Sequence, residues 1–215
     1  MRKIKAVIFD LDGTIGDTVP LCIQAFRQSI EPLIDQQVSD AEIMATFGPS
    51  EEGTIMALAP NHYDKGVADY LAYYEEHHDI CPSPFDGMLE VLNLLQEKQI
   101  RIAMVTGKGK YSTEISLDKF GLTDYFEIIE TGIPTGPSKP EGMEKVVDYF
   151  KEIPKEEMIY VGDAPSDITA SRQVGIAVVG AGWAEATEVG KLEALRADKV
   201  FKTIEEFKTW LVTKI

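Results

Sequence analysis

The chain has 215 residues, 44% of them hydrophobic and 27% charged, with a formal net charge of −15 at pH 7. That length suits one large domain or a core domain carrying an insertion, and the negative balance argues against a nucleic-acid backbone or an anionic membrane surface as partner. The two cysteines, Cys22 and Cys81, supply neither a disulfide framework nor metal-ligand spacing, and they read as small buried hydrophobes.

Arg2, Lys3 and Lys5 precede an apolar run, Ala6 to Phe9, that stops after four residues at Asp10. It is too short for a signal peptide, and no apolar run approaches a membrane span. A soluble cytoplasmic protein is the expectation. The run itself, rich in β-branched and aromatic residues, reads as a buried strand. Helical periodicity follows. Thr18 is placed as an N-cap with Pro20 in the first turn, and Ile23, Phe26 and Ile30 share a face. Ser39-Asp40-Ala41-Glu42 has capping-box spacing. Gly48-Pro49-Ser50 breaks the chain before a helix to about Leu58, and a longer helix presents Val67, Tyr70, Leu71 and Tyr74 on one face until Cys81-Pro82-Ser83-Pro84 stops it.

From Phe85 onward helices and strands alternate. Strands are expected at Arg101 to Val105, Phe126 to Ile129, Met158 to Val161, Ile176 to Val179 and Lys199 to Phe201. Helices are expected around Met88 to Leu95, then over Ile115 to Phe120, Glu141 to Phe150, Ile168 to Val174, Leu192 to Arg196 and Ile204 to Val212. This alternation implies an α/β fold, a Rossmann-like parallel sheet with helices on both faces. An all-helical module is inserted after the first strand. The expected boundaries are 1–16 and 84–215 for the core and 17–83 for the module. The module carries 2 basic and 12 acidic residues, net −10, against 19 and 24 in the remainder, net −5. Solvated helix faces account for much of that acidity.

The strand ends carry the chemistry. Asp10-Leu11-Asp12-Gly13-Thr14 follows the first strand, Thr106-Gly107 the second, and Gly162-Asp163-Ala164-Pro165-Ser166-Asp167 the strand ending at Val161, while Lys139 precedes a helix within Pro137-Ser138-Lys139-Pro140. Two carboxylates just past a buried strand are costly unless a cation or ligand answers them. An EF-hand loop is excluded, because its later ligand positions hold Thr14, Ile15 and Leu21. In a parallel sheet the carboxyl ends lie on one edge, so these groups converge. Carboxylate oxygens suit Mg²⁺. A carboxylate can attack phosphorus, a lysine and a hydroxyl can hold phosphoryl oxygens, and a second Asp can serve as acid and base.

On these four motifs the chain resembles a haloacid dehalogenase superfamily hydrolase with an inserted helical cap, close to the phosphoglycolate-phosphatase-like branch. The resemblance implies an aspartyl-phosphate mechanism with Asp10 as nucleophile and metal ligand. It implies Asp12 as general acid/base with its backbone carbonyl on Mg²⁺, and Asp163 as a further metal ligand. It also implies Asp167 in an orienting position behind the metal site or Lys139, and Thr106, Gly107 and Lys139 on the phosphoryl oxygens. Gly13 and Thr14 would open the hinge of the cap.

Departures narrow the branch. Dehalogenases lack the second Asp, which is Asp12 here. The phosphonate-cleaving branch uses a cap lysine, but the only one here is Lys65, and Gly53 lies near the expected position. The β-phosphoglucomutase branch has an acidic residue where Gly162 stands, and a cap arginine that is missing between Met44 and Thr54. The expectation is a phosphatase for a small phosphorylated metabolite, phosphoglycolate first. A phosphosugar mutase, an inorganic pyrophosphatase and a regulatory protein using the acidic cap are the alternatives. The loop Phe47-Gly48-Pro49-Ser50 resembles the cap segment that faces substrate. Lys108 and Lys110 read either as exposed loop lysines or as charges that offset the acidic cap. His77-His78 reads as an exposed helix end, and Trp183 and Trp210 as packing residues.

Overall fold

The computed structural model describes residues 3–215. Among them, six strands form one sheet: β1 (Ala6–Phe9), β2 (Arg101–Val105), β3 (Ile128–Glu130), β4 (Met158–Gly162), β5 (Ala177–Ala181) and β6 (Lys199–Phe201). The spatial order is β3-β2-β1-β4-β5-β6, and every neighbouring pair is parallel. Side chains alternate across the sheet. Val7 and Phe9 face a layer with Ile102, Met104, Val161 and Phe207, while Ala6 and Ile8 face Val105, Met143, Tyr160 and Ile168. Both faces are buried, which is why these strands read as unbroken apolar runs.

Helices α1 (Val19–Ile34), α2 (Asp40–Met44), α3 (Glu51–Leu58), α4 (Tyr63–Glu76) and α5 (Met88–Glu97) lie between β1 and β2. The first four share a separate apolar cluster built on Phe26, Ile30, Ile43, Ile55, Tyr70 and Tyr74. The capping box at Ser39 and Glu42 forms as expected. The expected cap of α1 does not: the Thr18 hydroxyl donates to Asp12 Oδ1 and leaves the helix end. Helix α6 (Lys110–Phe120) follows β2, α7 (Lys139–Tyr149) follows β3, α8 (Pro165–Val174) follows β4, and α9 (Val189–Ala194) and α10 (Ile204–Val212) flank β6. Among the described residues no helix is long and apolar enough to cross a membrane.

The remaining differences from expectation have simple causes. Strand β3 begins at Ile128, where pairing with Ala103 starts, because Phe126 is already packed in the core ahead of it. Strand β5 runs on through Gly180 and Ala181, because the β6 ladder pairs them with Val200 and Phe201 despite the glycine. His78 is buried, with Nε2 3.0 Å from Ser116 Oγ, so the expected exposed helix end is corrected to a packed one. Trp183 and Trp210 pack against Phe207 as expected.

The loop after β3 closes on the turn after β2. Gly132 N–H donates to Lys108 O at 2.7 Å, and a Cβ on Gly132 would stand 1.9 Å from Gly107 O. Only glycine allows that approach. Gly132→Ala is therefore expected to cost about 1–3 kcal/mol, as overpacked sites do, and to lower Tm in calorimetry by several degrees.

Candidate active site

Phe9 pairs with Met104 on one side and Val161 on the other, so β1, β2 and β4 end at one level. Asp10 follows β1, Thr106 follows β2 and Asp163 follows β4. Strand order reverses between β1 and β4, and this is the crevice where open α/β sheets hold ligands. A cavity of about 690 Å³ opens there, lined by Asp10, Asp12, Thr106, Gly107, Lys139 and Asp163.

Asp10 is buried. Its Oδ1 accepts from Leu11 N–H at 2.7 Å and its Oδ2 from Lys139 Nζ at 2.5 Å. Lys139 begins helix α7, which was expected to start just after it at Glu141, and it also donates to Asp167 Oδ1 at 2.5 Å. Asp167 is in the first turn of α8, fully buried. Tyr160 Oη donates to the same Oδ1 at 3.2 Å, and Ala164 N–H donates to Oδ2 at 2.9 Å. Both Asp167 oxygens are thus committed to protein donors. Asp163 lies against Gly13, whose φ of +72° and missing Cβ make room for its carboxylate. Asp12 is half-buried, and its Oδ1 accepts from Thr18 Oγ1 and from Lys108 Nζ at 3.2 Å.

Crowding shows in the electrostatics. Burial, with the Asp167 and Asp12 charges, pushes Asp10 up to about 6 against the pull of Lys139. Burial and the charges of Asp167 and Asp10 hold Asp163 well above the usual carboxylate range. Burial opposes the Lys139 ammonium, but Asp10 and Asp167 outweigh it and keep it charged. Oxygens of Asp10, Asp163 and Asp167 lie within 4.8 Å of one another, a cluster of the kind that coordinates Mg²⁺.

The sequence-predicted site residues thus gather around this one crevice. Thr106 Oγ1 accepts from Lys108 N–H at 3.2 Å, which fixes the turn. Lys110 is not part of the site: it is exposed and pairs with Glu114 on its own helix. Lys108 is no exposed loop lysine. Its ammonium is buried, 3.1 Å from Cys22 Sγ and 4.2 Å from the centre of the Tyr74 ring. Burial opposes its charge, and Asp12 foremost among its neighbours outweighs that. Cys22 is buried as expected, and burial with Asp12 nearby pushes its thiol up to about 12, so it offers Lys108 a neutral sulfur.

Sequence reading missed two residues. Tyr160 braces Asp167, and a hydroxyl in an otherwise aliphatic buried strand is the only local trace of that. Glu51, in the first turn of α3, reaches the amino end of α6: Gly109 N–H donates to Oε2 at 2.6 Å and Ser112 Oγ to Oε1 at 2.6 Å. No local pattern marks it, because its partners lie 58 and 61 positions away. The same stretch touches the loop after β3, where Ser50 N–H donates to Ile133 O at 3.0 Å and Gly53 lies against Pro134 O. The inserted helices are therefore closed onto the sheet edge.

An open parallel sheet with this aspartate cluster at its switch point, beneath inserted helices, defines a phosphatase-type hydrolase. The chain belongs to the haloacid dehalogenase-like hydrolases, whose family profile matches residues 7–181. It is 32% identical over 215 residues to a PpaX protein of Caldanaerobacter subterraneus, covering 99% of this chain and 94% of that one. It is 30% identical over 185 residues to pyrophosphatase PpaX of Listeria monocytogenes, covering 85% of each. The fold superimposes on a predicted phosphoglycolate phosphatase from Haemophilus somnus with a TM-score of 0.81 at 20% identity, covering 98% of this chain and 99% of that one. The fold with its inserted helices is shared with that predicted phosphoglycolate phosphatase.

Glu51→Ala strips the acceptor from two donors at a helix amino end, where a carboxylate also meets the helix dipole. It is expected to cost about 1–3 kcal/mol. In thermal melts Ser112→Ala should then cost less in the Glu51→Ala background than alone, because the two act through one contact.

Proposed function

We propose that the protein is a Mg²⁺-dependent phosphatase that hydrolyses a small phosphorylated metabolite through an aspartyl-phosphate on Asp10. The observation that carries this reading is the setting of Asp10. It is a buried carboxylate oriented by one backbone N–H and one ammonium, at the switch point, facing a cavity. Such a carboxylate is held in place to attack and has little solvent to shed.

The donor set fits a hard divalent cation. Asp10 and Asp163 offer carboxylate oxygens and Asp12 its backbone carbonyl. Burial first, and then the neighbouring carboxylate charges, raise Asp10 and Asp163, and a cation offsets both. Mg²⁺ bound there would neutralise charge on the phosphoryl oxygens. Asp167, with both oxygens already engaged, orients Lys139 instead of ligating.

In the first step an Asp10 oxygen attacks phosphorus as the bond to the leaving oxygen breaks, and Asp12 gives that oxygen its proton. In the second, Asp12 takes a proton from water, the water oxygen attacks phosphorus, and the bond to Asp10 breaks with release of phosphate. Lys139, the Thr106 hydroxyl and the Gly107 N–H hold the phosphoryl oxygens. Residues 17–83 act as the cap, with Gly13 and Thr14 as its hinge.

Phosphoglycolate is the leading substrate. Pyrophosphate is the second, on the name that the Listeria relative carries. A phosphosugar meets few free polar groups on the inserted helices, where Thr54 is bonded to Thr46 and Glu51 to Gly109 and Ser112. Its hydroxyls would have to use Glu141, Ser166, Thr169 and Gln173 on the opposite wall.

Phosphate release from an aryl phosphate should require Mg²⁺, stop with a chelator and fall roughly a thousandfold or more in Asp10→Asn. Activity surviving in a contaminant-free mutant would overturn the mechanism. A second measurement follows from Asp10. A protonated carboxyl cannot ligate, and in the metal-free protein Asp10 takes its proton at about pH 6. The Mg²⁺ dissociation constant measured by calorimetry should therefore rise as pH falls through 6, by about tenfold per unit below it. An affinity flat between pH 7 and 5 would remove Asp10 from the ligand set.

A further inference from the structure

Among the described residues, the cavity is lined by two cations, Lys139 and Lys108. Lys139 is held by Asp10 and Asp167, and on the proposed mechanism its remaining N–H serves the phosphoryl group. The wall given by the inserted helices is built mainly on Val19, Cys22, Phe26, Phe47 and Pro49, with Thr54, Glu51 and the Tyr70 hydroxyl as its polar groups. It carries no cation. Arg27 pairs with Asp40 and Glu31, Lys65 pairs with Asp69, and neither reaches the cavity. Any negative charge on the part of the substrate beyond phosphorus has one group to meet, the Lys108 ammonium.

We propose that Lys108 binds the leaving group and selects for one that carries a further anionic group beside the scissile bond, a carboxylate or a second phosphate. The inference rests on the phosphatase reading, and on Asp12 as the acid. A proton passing from Asp12 to the leaving oxygen requires the two to be in hydrogen-bond reach. Lys108 Nζ is 3.2 Å from Asp12 Oδ1. An anionic group one or two bonds beyond the leaving oxygen therefore lies within reach of that ammonium.

The surroundings suit the task. Lys108 is buried, so its charge is poorly screened. Besides Asp12, Lys108 feels the charge of Glu51, a carboxylate already engaged by Gly109 and Ser112. It touches a neutral thiol and an aromatic face, weak partners that leave donor capacity for a ligand. The apolar side given by the inserted helices sharpens the preference, since the polar lining of the cavity, Glu141, Ser166, Thr169 and Gln173, is confined to α7 and α8. The acidic charge of the inserted helices sets the opposite limit: one extra anionic group is matched by Lys108, and several are not.

The test compares the wild type, Lys108→Met and Lys108→Arg on 2-phosphoglycolate, pyrophosphate and phenyl phosphate with Mg²⁺ present. The readout is kcat/KM on each anionic substrate divided by that on phenyl phosphate. Lys108→Met should lower this ratio roughly ten- to a hundredfold, the range for a hydrogen bond to a charged group. The loss should fall mainly on KM, and Lys108→Arg should keep the larger part of the ratio. Whichever anionic substrate the wild type prefers identifies the group read, carboxylate or phosphate. Equal losses on all three substrates would overturn the proposal and leave Lys108 as a support for Asp12. So would a wild type indifferent to the leaving-group charge.

The same ratio, read as binding affinity by calorimetry in the Asp10→Asn background, does not depend on turnover. A binding preference that Lys108→Met removes, when the wild type with Mg²⁺ releases no phosphate from any of the three substrates, keeps Lys108 and refutes the phosphatase. Turnover with an unchanged ratio does the reverse.

Discussion

Four charged groups share one small volume at the carboxyl edge of β1 and β4, and the site depends on how their repulsion is managed. Asp10, Asp163 and Asp167 bring three carboxylates together, and among the described residues Lys139 is the only cation paired with them. Burying ion pairs is expensive, and Coulomb attraction repays the cost only when each oxygen and each N–H has a partner. Asp167 meets that condition through Lys139, Tyr160 and Ala164. Asp10 meets it less completely, and Asp163 least, which is why burial pushes both upward. The groups left strained are those assigned to chemistry, and the satisfied one holds the frame.

That frame extends well beyond the crevice. Tyr160 comes from the middle of β4, and its one hydroxyl proton is shared between Val105 O at 2.9 Å and Asp167 Oδ1 at 3.2 Å, so the strand interior and the Asp167 carboxylate are braced together. Asp167 fixes Lys139, Lys139 fixes Asp10, and the Asp10 backbone is tied to Val161. Gly13 and Gly132 remove side chains where Asp163 and the turn after β2 must approach. The precision a reacting carboxylate needs is thus supplied by the sheet and two helix starts, which are rigid elements.

The inserted helices contribute in a different way. They bring an apolar wall and an acidic surface, but no cation into the cavity. They are held down by Glu51 at the amino end of α6 and by the backbone contact of Ser50 with Ile133. A closed apolar lid strengthens every charge interaction beneath it. On the proposed reading, discrimination between substrates then falls to Lys108, a residue of the core whose ammonium lies against Cys22 and Tyr74 of the inserted helices.

Much of this could be read along the chain. Buried parallel strands must be apolar throughout, so their positions stood out, and with them the acidic strand ends Asp10, Asp12 and Asp163. The motif spacing carried the family, and the alternation of helix and strand carried the sheet. Glu51 was illegible, because a carboxylate in the first turn of a helix looks the same whether it faces water or a partner 58 residues away. The same holds for the Lys108 ammonium: a lysine after a Thr-Gly turn has no local sign of burial. Thr18 misled for the opposite reason, since it has the sequence of an N-cap and spends its hydroxyl on Asp12. Sequence by itself determined which groups lie at strand ends, because backbone periodicity is local. Tertiary structure alone decided which of them touch, because hydrogen bonds between distant residues depend on how the sheet is ordered and how the inserted helices close.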